Sequence, residues 1–343
     1  MEYILPIKFD LDQEYNFDNN QNEYCNVLKS LEYTKNKIND IGEEKWNKLR
    51  KIMNPYNFPV NRNFNRAFYK IWEIIEEFNL RKRNMSCLSM CEAPGSFIYG
   101  IYTNYMNFSK IIDSEGFIEK YNQRKEINKC IFDTFSINKK GFPEYNNLIY
   151  KNKYINILSY KESDITDKET LDYFSRNLHK YDIITCDGGI DDAGNYDKKE
   201  ELHKNLINSQ IILGVKLQKM SGNLICKFYD ITQDYTIENI IFLYKNYRKV
   251  FIYKPITSRI TNSEKYIICI DYLHIPKIIE QEKIDKLKDL LININIYFSK
   301  FQIKNINKCL EYVNFLDDYN FIEKSKESKK RNFERWKKTY SFF

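Results

Sequence analysis

Two lysines and two carboxylates, Lys70, Asp187, Lys227 and Glu264, are the side chains whose types and positions could do proton chemistry together. Lys227 closes the apolar run Asn223 to Phe228, and Asp187 ends another apolar run ahead of Gly188 and Gly189. Glu264 stands directly before the run Lys265 to Ile270, and Lys70 lies on a helical pattern from Phe64 to Phe78. In open parallel sheets, ligands bind outside the carboxyl ends of the strands, so polar residues at those ends are the candidates. Singly, each has an ordinary reading: a turn cap for Asp187, a snorkelling chain for Lys227, rim charge for Glu264, an exposed helix position for Lys70. Together they put two ammonium groups and two carboxylates on one rim, which a solvated surface does not require. Burial and a neighbouring cation lower a lysine's pKa from about 10.4, while carboxylates raise it. The four therefore titrate as a coupled system able to hold one lysine near neutrality.

These residues need a frame, and the stretch Met85 to Phe97, MSCLSMCEAPGSF, organises it. An apolar run breaks at Ala93, Pro94 and Gly95, and a helical pattern follows from Phe97 to Met106. Pro94 ends the strand because it cannot donate to a ladder, and Gly95 and Ser96 keep side chains small where a ligand approaches the backbone. With Glu92 just before it, the turn suits a small cofactor. An ordinary strand-to-helix turn has the same look. The turn holds one glycine and not G-x-G-x-x-G, which disfavours a hydride-transfer dinucleotide site.

Apolar runs alternate with helical patterns along the rest of the chain. Strands are expected near Cys130–Phe132, Tyr154–Leu158, Tyr181–Cys186, Asn223–Phe228, Val250–Tyr253 and Lys265–Ile270. Helices are expected at Lys168–Leu178, Lys198–Met220 and Thr236–Tyr247. This pattern predicts an α/β fold with a doubly wound, mostly parallel sheet. Residues 1–60 read as a helical extension stopped by Asn54, Pro55 and Tyr56. Residues 61–275 read as the catalytic domain, with 107–153 as an irregular insertion, and 276–343 as helical additions with a basic tail.

Hydrophobic residues make up 43% of the 343-residue chain and aromatics 16%, which is globular. No run of about 18 uncharged apolar residues exists, and the N-terminus lacks a signal peptide's basic start, so a soluble intracellular protein with no membrane partner is expected. The formal charge is +7, and the segment from Glu323 onward holds eight Lys or Arg against three acids. Such a tail suits a polyanion such as RNA, or a solvated end. Eight cysteines without a C-x-x-C pair, beside three histidines, lack metal spacing. Cys87, Cys186, Cys226 and Cys269 fall in strands and read as buried, reduced thiols.

The order Lys70, Asp187, Lys227, Glu264, within NRAFYK, CDGG, GNLICKFYD and NSEKY, resembles the K-D-K-E tetrad of the FtsJ-like ribose 2′-O-methyltransferases. The block KPITSRITNSEKY, Lys254 to Tyr266, is similar to the pattern K-P-x-[ST]-S-R-x-x-N-S-E-[RK]-Y of the cap-specific mRNA branch. The resemblance covers roughly Lys35 to Leu273. It implies a Rossmann-like methyltransferase fold and S-adenosylmethionine as cofactor, with Glu92, Ala93, Pro94, Gly95, Ser96 and Phe97 along its methionine and ribose part. Asn65 would lie nearby, and Asp164 and Ile165 beside the adenine. On the substrate side it implies capped mRNA, contacted by Lys35, Arg50, Asp197, Lys198, Lys199 and Asn262, with capping or transcription machinery as further partners. Ser96 stands where the family commonly has a second glycine, and 107–153 has little counterpart.

The mechanism implied is direct in-line methyl transfer to a ribose 2′-oxygen without a metal. Lys227 would be the base, Lys70 and Asp187 would orient it and depress its pKa, and Glu264 would position Lys70 or the ribose. Internal methylation of ribosomal or transfer RNA would share the tetrad without a cap pocket, and a noncatalytic RNA-binding subunit is the reading outside enzymes. The wealth of Asn, Lys, Ile and Tyr is that of an AT-rich genome. Large DNA viruses with such genomes encode enzymes of this kind, which would place the protein in the host cytoplasm if viral and in nucleus or cytoplasm otherwise.

Overall fold

The computed structural model describes residues 5–17, 21–58, 65–115, 129–190 and 199–342. Eight strands form one sheet: β1 (Ile7–Asp10), β2 (Ser86–Met90), β3 (Ile131–Phe135), β4 (Ile155–Ile157), β5 (Tyr181–Cys186), β6 (Gln218–Phe228), β7 (Tyr247–Lys254) and β8 (Lys265–Tyr272). Their spatial order is β1-β7-β8-β6-β5-β2-β3-β4. Strands β4, β3, β2, β5 and β6 pair in parallel, and β8 is antiparallel to both β6 and β7. The sheet is therefore mostly parallel, and β7 runs with the main set. One consequence governs the site. Because β8 runs backwards, it begins at the rim where β2, β5, β6 and β7 end.

Successive strand residues point to opposite faces, and both faces are covered. Leu88, Ile184, Cys226, Ile252 and Ile267 face a core built with α6 (Lys168–Asn177), α7 (Lys199–Lys216), α8 (Asp234–Asn246) and α9 (Gln281–Leu310). Cys87, Ile183, Ile225, Tyr253 and Ile268 face the other core, built with α3 (Ala67–Glu77), α4 (Ser96–Glu115) and the short α5 (Asn147–Tyr150). Parallel strands buried on both sides read as continuous apolar runs, which is why they were legible. Cys87, Cys186, Cys226 and Cys269 are buried free thiols on strands. Among the described residues, no helix is long and apolar enough to cross a membrane.

The two ends of the chain pack on each other. Helices α1 (Gln21–Ile41) and α2 (Glu43–Met53) bury Ile38, Trp46, Leu49 and Met53 against Ile306 and Cys309 of α9. Asn54 ends α2 as a turn, its N–H donating to Arg50 O at 3.2 Å.

Four elements differ from the sequence reading. Residues 7–10, inside the segment read as helical, form β1 on the edge of β7, where Phe9 packs edge-on to Tyr15 and Phe298; four residues are too few for a visible period. Helix α4 runs nine residues past Met106, to Glu115. Helix α7 stops at Lys216 and β6 starts at Gln218, because Ser221 at φ 56° and Gly222 make an irregularity within one long strand. The basic tail is not a loose solvated end but an ordered, packed element. It forms helix α10 (Tyr319–Thr339), whose Ser325, Ser328, Asn332 and Trp336 are buried. Phe333, Trp336, Tyr340 and Phe342 turn inward onto Tyr56, Phe58, Tyr69 and Trp72. Ser325 Oγ donates to Ile52 O at 2.7 Å and Asn332 Nδ2 to Pro55 O at 3.1 Å. Trp336→Ala should lower unfolding free energy by about 3–5 kcal/mol in a urea titration, the cost of emptying a well-packed aromatic site.

Candidate active site

All four tetrad residues meet at the rim. Lys70 Nζ donates to Glu264 Oε1 at 2.5 Å, and Ser258 Oγ donates to the same oxygen at 3.1 Å. Lys227 Nζ lies 3.3 Å from Asp187 Oδ1 and donates to the Asp187 carbonyl at 2.6 Å. Tyr266, the cross-strand partner of Lys227, donates its hydroxyl to Asp187 Oδ1 at 3.1 Å. The side chains of both ion pairs are only 10–16% exposed. Gly189 leaves room for one of them, since a Cβ there would lie 3.2 Å from Lys227 Nζ.

The electrostatics separate the two lysines. Burial pushes the Lys70 pKa down, and Arg66 adds to this against Glu264 and Asp187. Burial also disfavours the Lys227 ammonium, but Asp187, Tyr229 and Glu264 outweigh it, and Lys227 sits above its ordinary range. Glu264 opposes its own burial through Lys70, Lys227 and Lys254, and is held well below the usual carboxylate range. The expectation that Asp187 depresses Lys227 is thus reversed: a carboxylate at 3.3 Å favours the charged amine.

Next to this rim is the turn after β2. Gly95, at φ 102°, is required there, because a Cβ would sit 2.5 Å from Ile149 Cγ1. Pro94 follows a cis peptide, and its carbonyl accepts from Asn146 N at 3.0 Å. Glu92 is buried and its Oε1 accepts from the Phe97 N–H. Burial, then Asp187, push its pKa well up, against the Phe97 and Ile98 amides and Lys227. Glu92 Oε2 is buried without a hydrogen-bond partner among the described residues. An orphaned buried carboxylate oxygen is costly, and a donor from a small ligand would satisfy it. The residues therefore fit a ligand with an ammonium or hydroxyl donor. A Cβ at Gly188 would lie 2.9 Å from Cys91 Cβ, so the ends of β2 and β5 meet where the strand order reverses.

The remaining turn residues divide. Asn65 N donates to Ser96 Oγ at 3.2 Å, tying the start of α3 to the start of α4, a contact glycine could not make. The Phe97 ring is buried against Tyr266, 5.9 Å between centroids, and offers only its amide to the turn. Asp164 accepts from Thr166 N and Oγ1 at 2.9 and 2.7 Å, and its charge adds to the burial that raises the Cys91 thiol to about 12. Ile165 is buried in the core behind it.

Lys35, Arg50 and Asn262, from α1, α2 and the β7–β8 loop, line one pocket with Trp46, Arg259, Thr261, Ser263 and Gln302. Lys35 Nζ is 3.9 Å from Asp230 Oδ2. Asp197 and Lys198 lie outside the described residues, and Lys199 is the first residue of α7.

Sequence reasoning missed Tyr266, Ser258 and Lys254, although all three lie inside the quoted block Lys254 to Tyr266. Lys254 ends β7, is 4% exposed, and donates to Asn262 O at 2.9 Å, Asn262 Oδ1 at 3.1 Å and Glu264 O at 2.8 Å. One ammonium thus joins the pocket to the tetrad. Burial, Lys265 and Lys70 lower it to about 7, against Glu264 and Asp230. With its Oδ1 engaged, Asn262 is left to present its NH₂ group as a donor.

Lys265 supplies a test of buried charge. It lies over Phe298 at 4.8 Å and donates to Ser263 O at 2.8 Å; burial lowers it to about 8, with Lys35 adding to this against Asp230 and Glu200. The unfolded chain keeps this lysine protonated to about 10.5, so between about pH 8 and 10.5 folding releases a proton and rising pH favours the folded state. Lys265→Met should remove up to roughly 3 kcal/mol of that rise, read from urea midpoints at pH 7.5 and 10.

The chain is 25% identical over 300 residues to cap-specific mRNA (nucleoside-2′-O-)-methyltransferase 2 of Drosophila melanogaster, covering 81% of this chain and 41% of that protein. It is 24% identical over 283 residues to cap-specific mRNA (nucleoside-2′-O-)-methyltransferase 1 of Dictyostelium discoideum, covering 73% and 35%. A probable methyltransferase of African swine fever virus is 25% identical over 227 residues, covering 64% and 51%. The chain therefore spans between about a third and a half of the length of these relatives. Among solved structures, a putative ribosomal RNA methyltransferase from Plasmodium falciparum aligns at TM-score 0.43 and 18% identity, covering 61% of this chain and 98% of that one. The model of the FtsJ-like methyltransferases matches residues 64–272, more than half of the sequence, and the chain belongs to that family.

Proposed function

We propose that this protein transfers a methyl group from S-adenosylmethionine to the ribose 2′-hydroxyl of a cap-proximal nucleotide in capped mRNA. The observation that carries the reading is the meeting of two buried ion pairs at one rim, between the Glu92 turn and the pocket of Lys35, Arg50 and Asn262. The names of the Drosophila and Dictyostelium relatives support the substrate. When bound, the cofactor supplies a sulfonium whose methyl carbon is the electrophile. Glu92 Oε2 would accept from its donors, and Asp164 would face its nucleoside end.

Lys227 is the base in this reading. It is charged in the free chain, so it must first give up a proton to bulk water. Exclusion of water and positive charge arriving beside it both drive that loss. The neutral amine then takes the proton of the 2′-hydroxyl at Nζ. Asp187 and Tyr266 hold the amine in place, and Lys70, kept by Glu264 and Ser258, steadies the ribose oxygen. Much of the acceleration comes from alignment, since a misplacement of about 1 Å can cost about 100-fold. Arg50, Lys35 and the Asn262 amide would receive the cap.

Labelled methyl transfer to matched short RNAs, one capped and one with a 5′ triphosphate, tests the substrate. Label confined to a cap-proximal ribose supports the reading; equal labelling of both, or label at internal positions, would move the enzyme to internal ribosomal or transfer RNA. Lys227→Met should lower kcat by about 100-fold or more, the range of a lost acid–base group, with cofactor affinity kept. Arg50→Ala should weaken capped RNA more than uncapped RNA of the same sequence; equal losses would reduce Arg50 to a phosphate contact.

A further inference from the structure

Helix α3 carries a buried carboxylate as well as Lys70. Glu73 lies one turn after Lys70 on the same helix and is fully buried, at 0% exposure. Its two oxygens accept from three separate parts of the chain. Tyr253 Oη of β7 donates at 2.8 Å, and the N–H groups of Ile256 and Thr257 donate at 2.8 and 3.3 Å. Thr257 Oγ1 donates at 2.9 Å, and Trp336 Nε1 of α10 at 3.4 Å. The neighbouring Trp72 donates its Nε1 to the carbonyl of Tyr340, the residue that caps α10, at 2.8 Å, so α10 and its cap grip α3 at two adjacent residues.

We propose that Glu73 is a positioning residue for methyl transfer, and that helix α10 acts through it as a strap that sets Lys70 against Glu264. The inference rests on the reading of Lys70 and Glu264 as part of the reaction centre. Its mechanical basis is the loop 255–264, which carries Ser258, Asn262 and Glu264. Glu73 binds the start of that loop, Gln302 of α9 donates to Thr261 O at 3.0 Å, and Lys254 binds its far end. Lys70 rises from the helix that bears Glu73 and meets the loop's last residue, Glu264. The Lys70–Glu264 contact is therefore set by how helix and loop are joined, and Glu73 is the joint. Only a group that accepts at both atoms suits the place, because all five contacts are donors to Glu73. Glutamine keeps the volume but turns an NH₂ toward donors. Removing one buried partner leaves the others unpaired, so the change reaches past its own contact.

The experiment compares wild type, Glu73→Gln and Trp336→Phe in the whole 343-residue chain, well below each unfolding midpoint, by methyl-transfer kinetics and by amide hydrogen exchange. Glu73→Gln should lower kcat at least tenfold while the KM for capped RNA and the affinity for S-adenosylmethionine stay within threefold. Exchange should quicken in α3 and 255–264 and stay unchanged in β2 and β5. Trp336→Phe removes that donor with the five-membered ring of the indole while keeping an aromatic side chain in the site, and it should shift the same quantities in the same direction by a few-fold, which keeps the test decisive if Glu73→Gln does not fold. A folded variant with wild-type kcat, or a loss that follows the unfolded fraction alone, overturns the proposal. Wild-type protein inactive on every RNA would defeat the proposed function instead; unchanged exchange in 255–264 would still defeat the clamp.

Discussion

Burying two ion pairs side by side is the constraint on which the rest of this structure depends. Lys70–Glu264 and Lys227–Asp187 are all but removed from water. Stripping one partner from such a pair typically costs about 3–5 kcal/mol, because it strands a charge in a poor solvent. The fold must therefore deliver four charged groups to one rim with their remaining hydrogen-bonding capacity met. Tyr266 serves Asp187, Ser258 serves Glu264, and the Asp187 carbonyl serves Lys227.

Topology makes that delivery possible. The ends of β2, β5 and β6 and the start of the reversed β8 lie on one edge of the sheet, so residues far apart in sequence become neighbours without long side chains. The loop between β7 and β8 spans from the rim to the pocket of Lys35, Arg50 and Asn262, and Lys254, at the end of β7, holds its far end. Neither wall of that pocket is complete within the sheet alone. α1 and α2 supply Lys35 and Arg50, and α9, packed against them, supplies Gln302. The terminal helices are thus part of the site's construction rather than appendages to it.

The sheet was legible because parallel strands covered on both faces are unbroken apolar runs, and the rim because charges closing such runs stand out. Lys227 inside NLICKF is the plainest case. Less legible were features that depend on contacts between distant segments. β1 is four residues long and exists through its pairing with β7. Ser221 and Gly222 look like a chain break and are an irregularity within β6. The tail's composition pointed outward, whereas its aromatic residues face the core and most of its cations remain exposed. Ser96, a departure from the family's glycine, earns its place through Asn65. The sign of the Asp187 effect on Lys227 needed the distance between them, which no sequence pattern contains.

The roles proposed for Lys70 and Lys227 require the two ion pairs to act as one unit in methyl transfer. A double-mutant cycle on kcat/KM with Lys70→Met, Lys227→Met and the double variant tests it most directly. Groups acting together are grossly non-additive. The double variant should be scarcely slower than Lys227→Met alone. Losses that multiply, or a Lys70→Met enzyme with wild-type turnover, would mean that the pairs work independently.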